Sequence, residues 1–193
     1  MLTHEERREL VMAAREAIDC ALSNRAAARV PVRLPGLLQH CGVFVTIRMD
    51  RQLRGCIGYI EGTRPLIDLV PEIAVRSALE DPRFAPLTRA ELLQSTLELS
   101  ILSPLRRIWR MEEIEVGVHG LVLELGPSRG LLLPQVATEF QWDRREFLEA
   151  TARKAGLYRS AWQDPEVKLS VFTAEIIEEA EISHEERRDP ALS

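Results

Sequence analysis

The sequence predicts an α+β fold with a largely antiparallel β-sheet flanked by helices. Apolar residues recur with helical spacing in some segments and alternate in others, without a strict strand–helix–strand rhythm. The composition is 46% apolar, enough for a substantial core, and 193 residues fit one domain or two closely packed lobes.

Each element follows from local chemistry. Thr3 and Glu6 form a capping-box pattern before Leu10, Val11, Ala14, Ile18, Ala21 and Leu22, a first amphipathic helix that ends near Ser23 and Asn24. Val30 to Gly36 contains two prolines and reads as an extended linker. Gly42 to Ile47 and Leu53 to Ile60 read as two strands of a hairpin turning near Asp50, which would set Thr46 across from Arg54. Pro65 opens a helix whose apolar face is Leu66, Leu69, Val70, Ile73, Ala74 and Ala78. Asp81 to Pro86 is a fixed loop, and Thr88 with Glu91 caps a short helix to Gln94. Thr96 to Ile101 alternates, a strand with one polar and one apolar face. Val116 to Leu125 is a strand interrupted by Gly117 and Gly120, and Gly126 to Gly130 turns into Leu131 to Leu133. Asp143 and Glu146 cap a helix closed by Gly156, and Val167 to Ile177 is a last strand. The domain is expected to span 1–180, with a charged tail at 181–193.

Composition also narrows function. A net charge of −5 argues against nucleic acid, DNA above all, or an anionic membrane as a bulk electrostatic partner, although Arg106, Arg107 and Arg110 form a local basic cluster suited to a phosphate contact. No apolar run approaches the ~20 residues of a membrane span, and Met1 to Glu9 lacks a secretion-signal core, so a cytoplasmic protein is expected. Cys20, Cys41 and Cys56 make no metal-ligand spacing and are expected as free thiols; the four histidines are scattered, and neither a metal nor a cofactor is expected.

The stretch Leu53 to Gly62 places Cys56 between Gly55 and Gly58, with Arg54 two positions before it. Strand alternation turns Leu53, Gly55 and Ile57 to the core and Arg54, Cys56 and Gly58 to the other face. Glycines on such a strand allow backbone or a ligand to approach closely. A guanidinium near Cys56 favours the thiolate, which is the nucleophilic form. The alternative is a small buried hydrophobe. No histidine adjoins Cys56, so a base must come from elsewhere; His119, read as part of a strand, is the candidate. Glu98 and Ser100 share the polar face of their strand, which solvent exposure alone would also explain. Asp81 and Arg83 flank Pro82 and suit a loop tie.

The runs GVFVTI (42–47), LRGCIG (53–58), DPRFAPL (81–87), LELSILSP (97–104), VGVHGLVLE (116–124), GLLLPQVA (130–137) and KAGL (154–157), in this order, resemble the AMMECR family, protein A of the AmmeMemoRadiSam system. The resemblance covers roughly 5–180. It implies a larger and a smaller lobe with a cleft between them, and Arg54, Gly55, Cys56 and Gly58 as signature positions. It also implies Memo-like (dioxygenase-related) and radical-SAM proteins as partners.

Three functions follow as expectations. In an enzyme, Cys56 is nucleophile or thiol ligand, Arg54 holds an anionic group such as phosphate or carboxylate, His119 or Glu98 moves protons, Thr46 and Ser100 orient a nucleotide, modified RNA or small metabolite, and Gly55, Gly58 and Arg83 complete the ligand-binding set. In an adaptor, the face of Gly55 and Gly58 docks a partner protein and Cys56 serves by its size. A weaker reading has Arg106, Arg107 and Arg110 bind RNA or DNA.

Overall fold

The computed structural model describes residues 1–25 and 34–182, and the expectations for 30–33 and 183–193 lie outside them. The fold is α+β, built as two compact units.

The first unit comprises Met1–Ile101 and Glu175–Ser193. Helix α1 (His4–Leu22) starts at a complete Thr3/Glu6 capping box, as expected from the sequence. Strands β1 (Val43–Met49) and β2 (Gln52–Tyr59) form the hairpin, followed by α2 (Leu66–Leu79) and α3 (Arg89–Gln94), the latter with a complete Thr88/Glu91 box. β3 (Ser95–Leu102) pairs antiparallel with β1, and the sheet is completed by β8 (Ala174–Glu178) in the order β2-β1-β3-β8. Val43, Val45, Ile47, Leu97, Leu99 and Ile101 turn one face of the sheet onto the apolar stripes of α1 and α2, making a single core.

The hairpin tip departs from expectation. The connection is a two-residue turn in which Asp50 (φ 49°) and Arg51 (φ 65°) both lie in the left-handed region, the pattern of a type I′ turn. The register then shifts at a β-bulge: Arg48 faces Leu53, Ile47 faces Gly55, and Arg54 is the extra residue without a partner. Thr46 therefore sits across from Cys56, not Arg54. The bulge also breaks the alternation that placed Leu53 in the core; Leu53 is 38% exposed.

Arg51 occupies a site that glycine fits without steric cost. Arg51→Gly is expected to stabilise the protein by about 0.5–1 kcal/mol, read as a raised urea midpoint with an unchanged slope.

The second unit, Leu102–Ala174, holds a sheet of β4 (Arg106–Ile108), β5 (Gly120–Leu125), β6 (Ser128–Leu132) and β7 (Lys168–Phe172) in the order β4-β7-β5-β6. Helices α4 (Pro134–Glu139) and α5 (Arg144–Lys154) accompany it. Its core gathers Ile108, Leu121, Leu123, Phe147, Leu148, Leu169 and Val171. The Asp143/Glu146 box and Gly156 (φ +75°) bound α5 as the sequence indicated.

Three strand expectations change here. Residues 116–119 form a turn, because Gly117 (φ +86°) bends the chain before β5 begins at Gly120. The Gly126 turn is shorter than expected, since Ser128 already pairs with Leu125. The last strand is broken at Thr173, where Thr173 N donates to Ser103 Oγ and Ser103 N donates to Thr173 O. That exchange takes Thr173 out of the ladder, so β7 and β8 belong to different sheets.

Candidate functional site

In the first unit, the sheet face opposite the core is polar. Register places Cys56 of β2, Thr46 of β1 and Glu98 of β3 side by side in one row, with Gly58, Phe44 and Ser100 in the next row on the same face. Two strand spacings separate Cys56 from Glu98 by about 10 Å. The Thr46 hydroxyl donates to Cys56 Sγ at 3.4 Å. Glu98 Oε2 accepts from Arg48 Nε at 3.3 Å, and the Glu98 side chain is only 14% exposed. Ser100 is 0% exposed, and its Oγ has no hydrogen-bond partner among the described residues. The expectation that solvent alone explains this polar strand face does not hold for Ser100.

The loop after α2 grips the sheet edge at Cys56. Asp81 Oδ2 accepts from Cys56 N (2.8 Å) and Arg83 Nη2 (2.6 Å), while Oδ1 accepts from Arg83 N (3.1 Å) and Nε (2.9 Å). Arg83 Nη2 also donates to Cys56 O at 3.1 Å. The two side chains thus stand in for a further strand along the exposed edge of β2. Asp81 is buried, and the Arg83 hydrogen bond, helped by Cys56 N, holds its carboxyl down at about 2. The Arg83 guanidinium is kept charged first by Asp81, with the Cys56 side chain a smaller contributor. Arg83 is therefore a cation held at the Cys56 backbone. Its side chain is 51% exposed, and its Nη1 makes none of the bonds found among the described residues.

Arg54 has a different occupation. As the bulge residue it turns to the Asp81–Leu87 loop and to α3, pairing with both carboxylate oxygens of Glu91 (3.0 and 3.2 Å). It also donates to Ala85 O (2.9 Å) and Pro86 O (3.4 Å), with the Phe84 ring 6.0 Å away. These bonds engage its guanidinium on all three nitrogens with groups of the chain itself. Glu91 is pulled down to about 2, first by Arg54 and then by Thr88 N.

The glycines are also taken up internally. A Cβ on Gly55 would lie 2.2 Å from Ser77 O, and one on Gly58 would lie 2.3 Å from the Phe44 ring. At both positions the close approach is made by the chain's own atoms. Ser77 was not anticipated, yet a serine on the apolar stripe of α2 was its signal; its Oγ accepts from Ile57 N and donates to Val45 O.

His119 belongs to the second unit and ends a turn. Its Nδ1 accepts from Glu115 N at 3.0 Å, which leaves the proton of the neutral ring on Nε2. In the basic cluster, Arg106 pairs with Glu113, and Arg107 donates to Val167 O and lies 4.8 Å from the exposed Trp109 ring. Among the described residues, no group of three or more His, Cys, Asp or Glu is disposed to hold a metal ion. None of the described helices is long and apolar enough to cross a membrane.

The depressed carboxyls give a pH dependence. A group whose folded value lies below its unfolded value of about 4 stabilises above that value and loses its contribution as pH falls. Asp81 and Glu91 should therefore contribute nothing to the pH dependence above about pH 5 and lose their stabilisation between about pH 4 and 2. Thermal melts across this range should fall less steeply for Asp81→Asn than for the wild type.

The AMMECR1 family model matches residues 11–177. A protein of Methanothermobacter thermautotrophicus is 45% identical over 186 residues, covering 92% of this chain and 96% of that one. A protein of Thermococcus gammatolerans is 42% identical over 194 residues, covering 95% of each. The crystal structure of uncharacterized protein PH0010 from Pyrococcus horikoshii matches with a TM-score of 0.81 and 40% identity, over 86% of this chain and 88% of that one.

Proposed function

The chain belongs to the AMMECR1 family, and on that premise we propose that it is a cytoplasmic small-molecule-binding protein whose ligand carries an anionic group, phosphate or carboxylate, to the Cys56 row. The carrying observation is the placement of Arg83. Its guanidinium is fixed at the Cys56 backbone by Asp81, is half exposed, and keeps a nitrogen outside the described bonds. A planar cation fixed in this way suits an oxyanion with little ordering cost. Cys56 and Thr46 then touch the ligand beside the anion.

Binding is favoured over nucleophilic catalysis by the spacing of the row. Glu98 lies about 10 Å from Cys56 with Thr46 between, beyond the reach of direct proton transfer. The resemblance to the AmmeMemoRadiSam system supports Memo-like and radical-SAM proteins as the setting in which the ligand is delivered or used. Docking of a partner on the glycine face has less support, because Gly55 and Gly58 are covered by Ser77 and Phe44.

Isothermal titration with inorganic phosphate and acetate tests the reading. Wild type should bind one of them saturably, Arg83→Gln should bind at least about tenfold more weakly, and Cys56→Ser should keep most of the affinity. No binding to wild type, or undiminished binding to Arg83→Gln, would refute it. Co-purification of Memo-like and radical-SAM proteins with a wild type that binds no anion would favour the adaptor.

A further inference from the structure

β2 is an edge strand of the first sheet, and its outer edge is used unevenly. In an antiparallel ladder the N–H and C=O of one residue point to the same side, and successive residues alternate. Cys56 N donates to Asp81 and Cys56 O accepts from Arg83, so Cys56 points away from β1. The register runs unbroken from Cys56 to Gly58, so Gly58 points the same way. Ile57 between them has the opposite phase: its N–H turns to β1, where the Ser77 hydroxyl links it to Val45 O. Among the described residues no bond outside the ladder reaches Gly58 N or O, and Gly58 is partly exposed. An open edge pair of this kind is a template for another extended backbone.

The open segment is one residue long. On one side the Cys56 pair is taken by Asp81 and Arg83. On the other β2 ends at Tyr59, and Ile60 O packs against Gly42 so closely that a Cβ there would collide with it. Orientation follows from the order of groups along the edge, which is Cys56 N, Cys56 O, Gly58 N, Gly58 O. A residue paired antiparallel with Gly58 donates its N–H to Gly58 O and accepts from Gly58 N at its carbonyl. Its chain then heads for Cys56 O, where the Arg83 guanidinium stands with Nη1 outside the described bonds. The chain must end there, and a terminal carboxylate is the ending that a guanidinium fits. A parallel strand would carry its carboxylate away from Arg83. On the polar face, the partly exposed Phe44 ring fills the side-chain place that Gly58 leaves empty, so the side chain of the paired residue meets an aromatic surface. We infer that the ligand is a short peptide with a free C-terminal carboxylate and an apolar last residue, paired antiparallel with Gly58 and ending on Arg83. This rests on the anion reading above and gives that reading a substrate class. It uses the edge of Gly58, not the face that Phe44 covers.

The tripeptide Ala-Ala-Phe, its C-terminal amide, its analogue N-methylated at the Phe nitrogen, Ala-Ala-Gly, acetate and inorganic phosphate are titrated into wild type and Arg83→Gln. Wild type should bind Ala-Ala-Phe at least about tenfold more tightly than acetate, and about fivefold more tightly than Ala-Ala-Gly. Amidation should weaken binding at least about tenfold by removing the carboxylate, and N-methylation about fivefold by removing the donor to Gly58 O. Arg83→Gln should match the loss from amidation; the amide arm uses wild-type protein, so the result does not depend on how well that variant folds. Backbone amide exchange, read residue by residue, reports the pairing itself. The Gly58 amide should exchange rapidly in the free protein and slow on saturation with Ala-Ala-Phe, while the Cys56 amide, bonded to Asp81, should be slow in both states. If acetate or phosphate binds through Arg83 but Ala-Ala-Phe gains nothing over acetate, or N-methylation costs nothing, or Gly58 exchange is unmoved by the peptide, the inference is overturned and the anion reading stands. If none of the six compounds binds, or binding is undiminished in Arg83→Gln, both are overturned.

Discussion

Gly55→Ala is expected to destabilise the protein by about 3 kcal/mol, a fall of about 10 °C in the melting midpoint, and Gly55→Val is expected to prevent folding. The added Cβ would lie 2.2 Å from Ser77 O, a backbone atom within α2 that cannot swing aside as a side chain could. Retreat of α2 would also break the Ser77 bridge to Ile57 N and Val45 O and open the core along Val70, Ile73 and Ala74. Urea unfolding measures the loss directly. A midpoint shift in Gly55→Ala of less than about 1 kcal/mol would show that α2 and β2 can separate at little cost. A further consequence concerns partner binding. Loss of assembly in Gly55→Val would report a lost fold, so it does not discriminate an adaptor from a binding protein.

The second large effect is expected at Asp81. Asp81→Ala removes the acceptor for Cys56 N and for Arg83 N, Nε and Nη2 together. Breaking a fully buried pair costs about 3–5 kcal/mol; Arg83 is half exposed and can be rehydrated, so about 2–3 kcal/mol is expected. The same variant should weaken phosphate binding, since the guanidinium loses its fixed position over the Cys56 backbone. Asp81 acts here through Arg83, as a positioning residue. Asp81→Asn, which can still accept from Cys56 N, should recover part of the stability and less of the affinity. Wild-type phosphate affinity in a folded Asp81→Ala would show that Arg83 needs no such support.

The readable parts of the sequence were those governed by local chemistry. Three capping boxes, at Thr3, Thr88 and Asp143, mark true helix starts, because a cap is a bond between a side chain and a backbone group three residues away. The apolar stripes of α1 and α2 and the polar-apolar alternation of β3 were legible for the same reason. The hairpin was legible too, but its register was not. A single bulge residue moved Thr46 from Arg54 to Cys56, and nothing in the alternation of Leu53 to Gly58 reveals an extra residue. The partners of Arg54 were not legible either, since the loop that claims it lies about thirty residues further along the chain. Alternation likewise could not show that Ser100 is buried, because what covers a strand face is decided far from it in sequence.

The most direct test of the Cys56–Arg83 site is the rate at which iodoacetamide alkylates Cys56, followed peptide by peptide, with the half-buried Cys41 as internal reference. Inorganic phosphate should slow the alkylation of Cys56 saturably, leave Cys41 unchanged, and give no protection in Arg83→Gln. Alkylation of Cys56 at one rate with and without phosphate, or protection that survives in Arg83→Gln, would contradict the assignment of this row as the place where the anion binds.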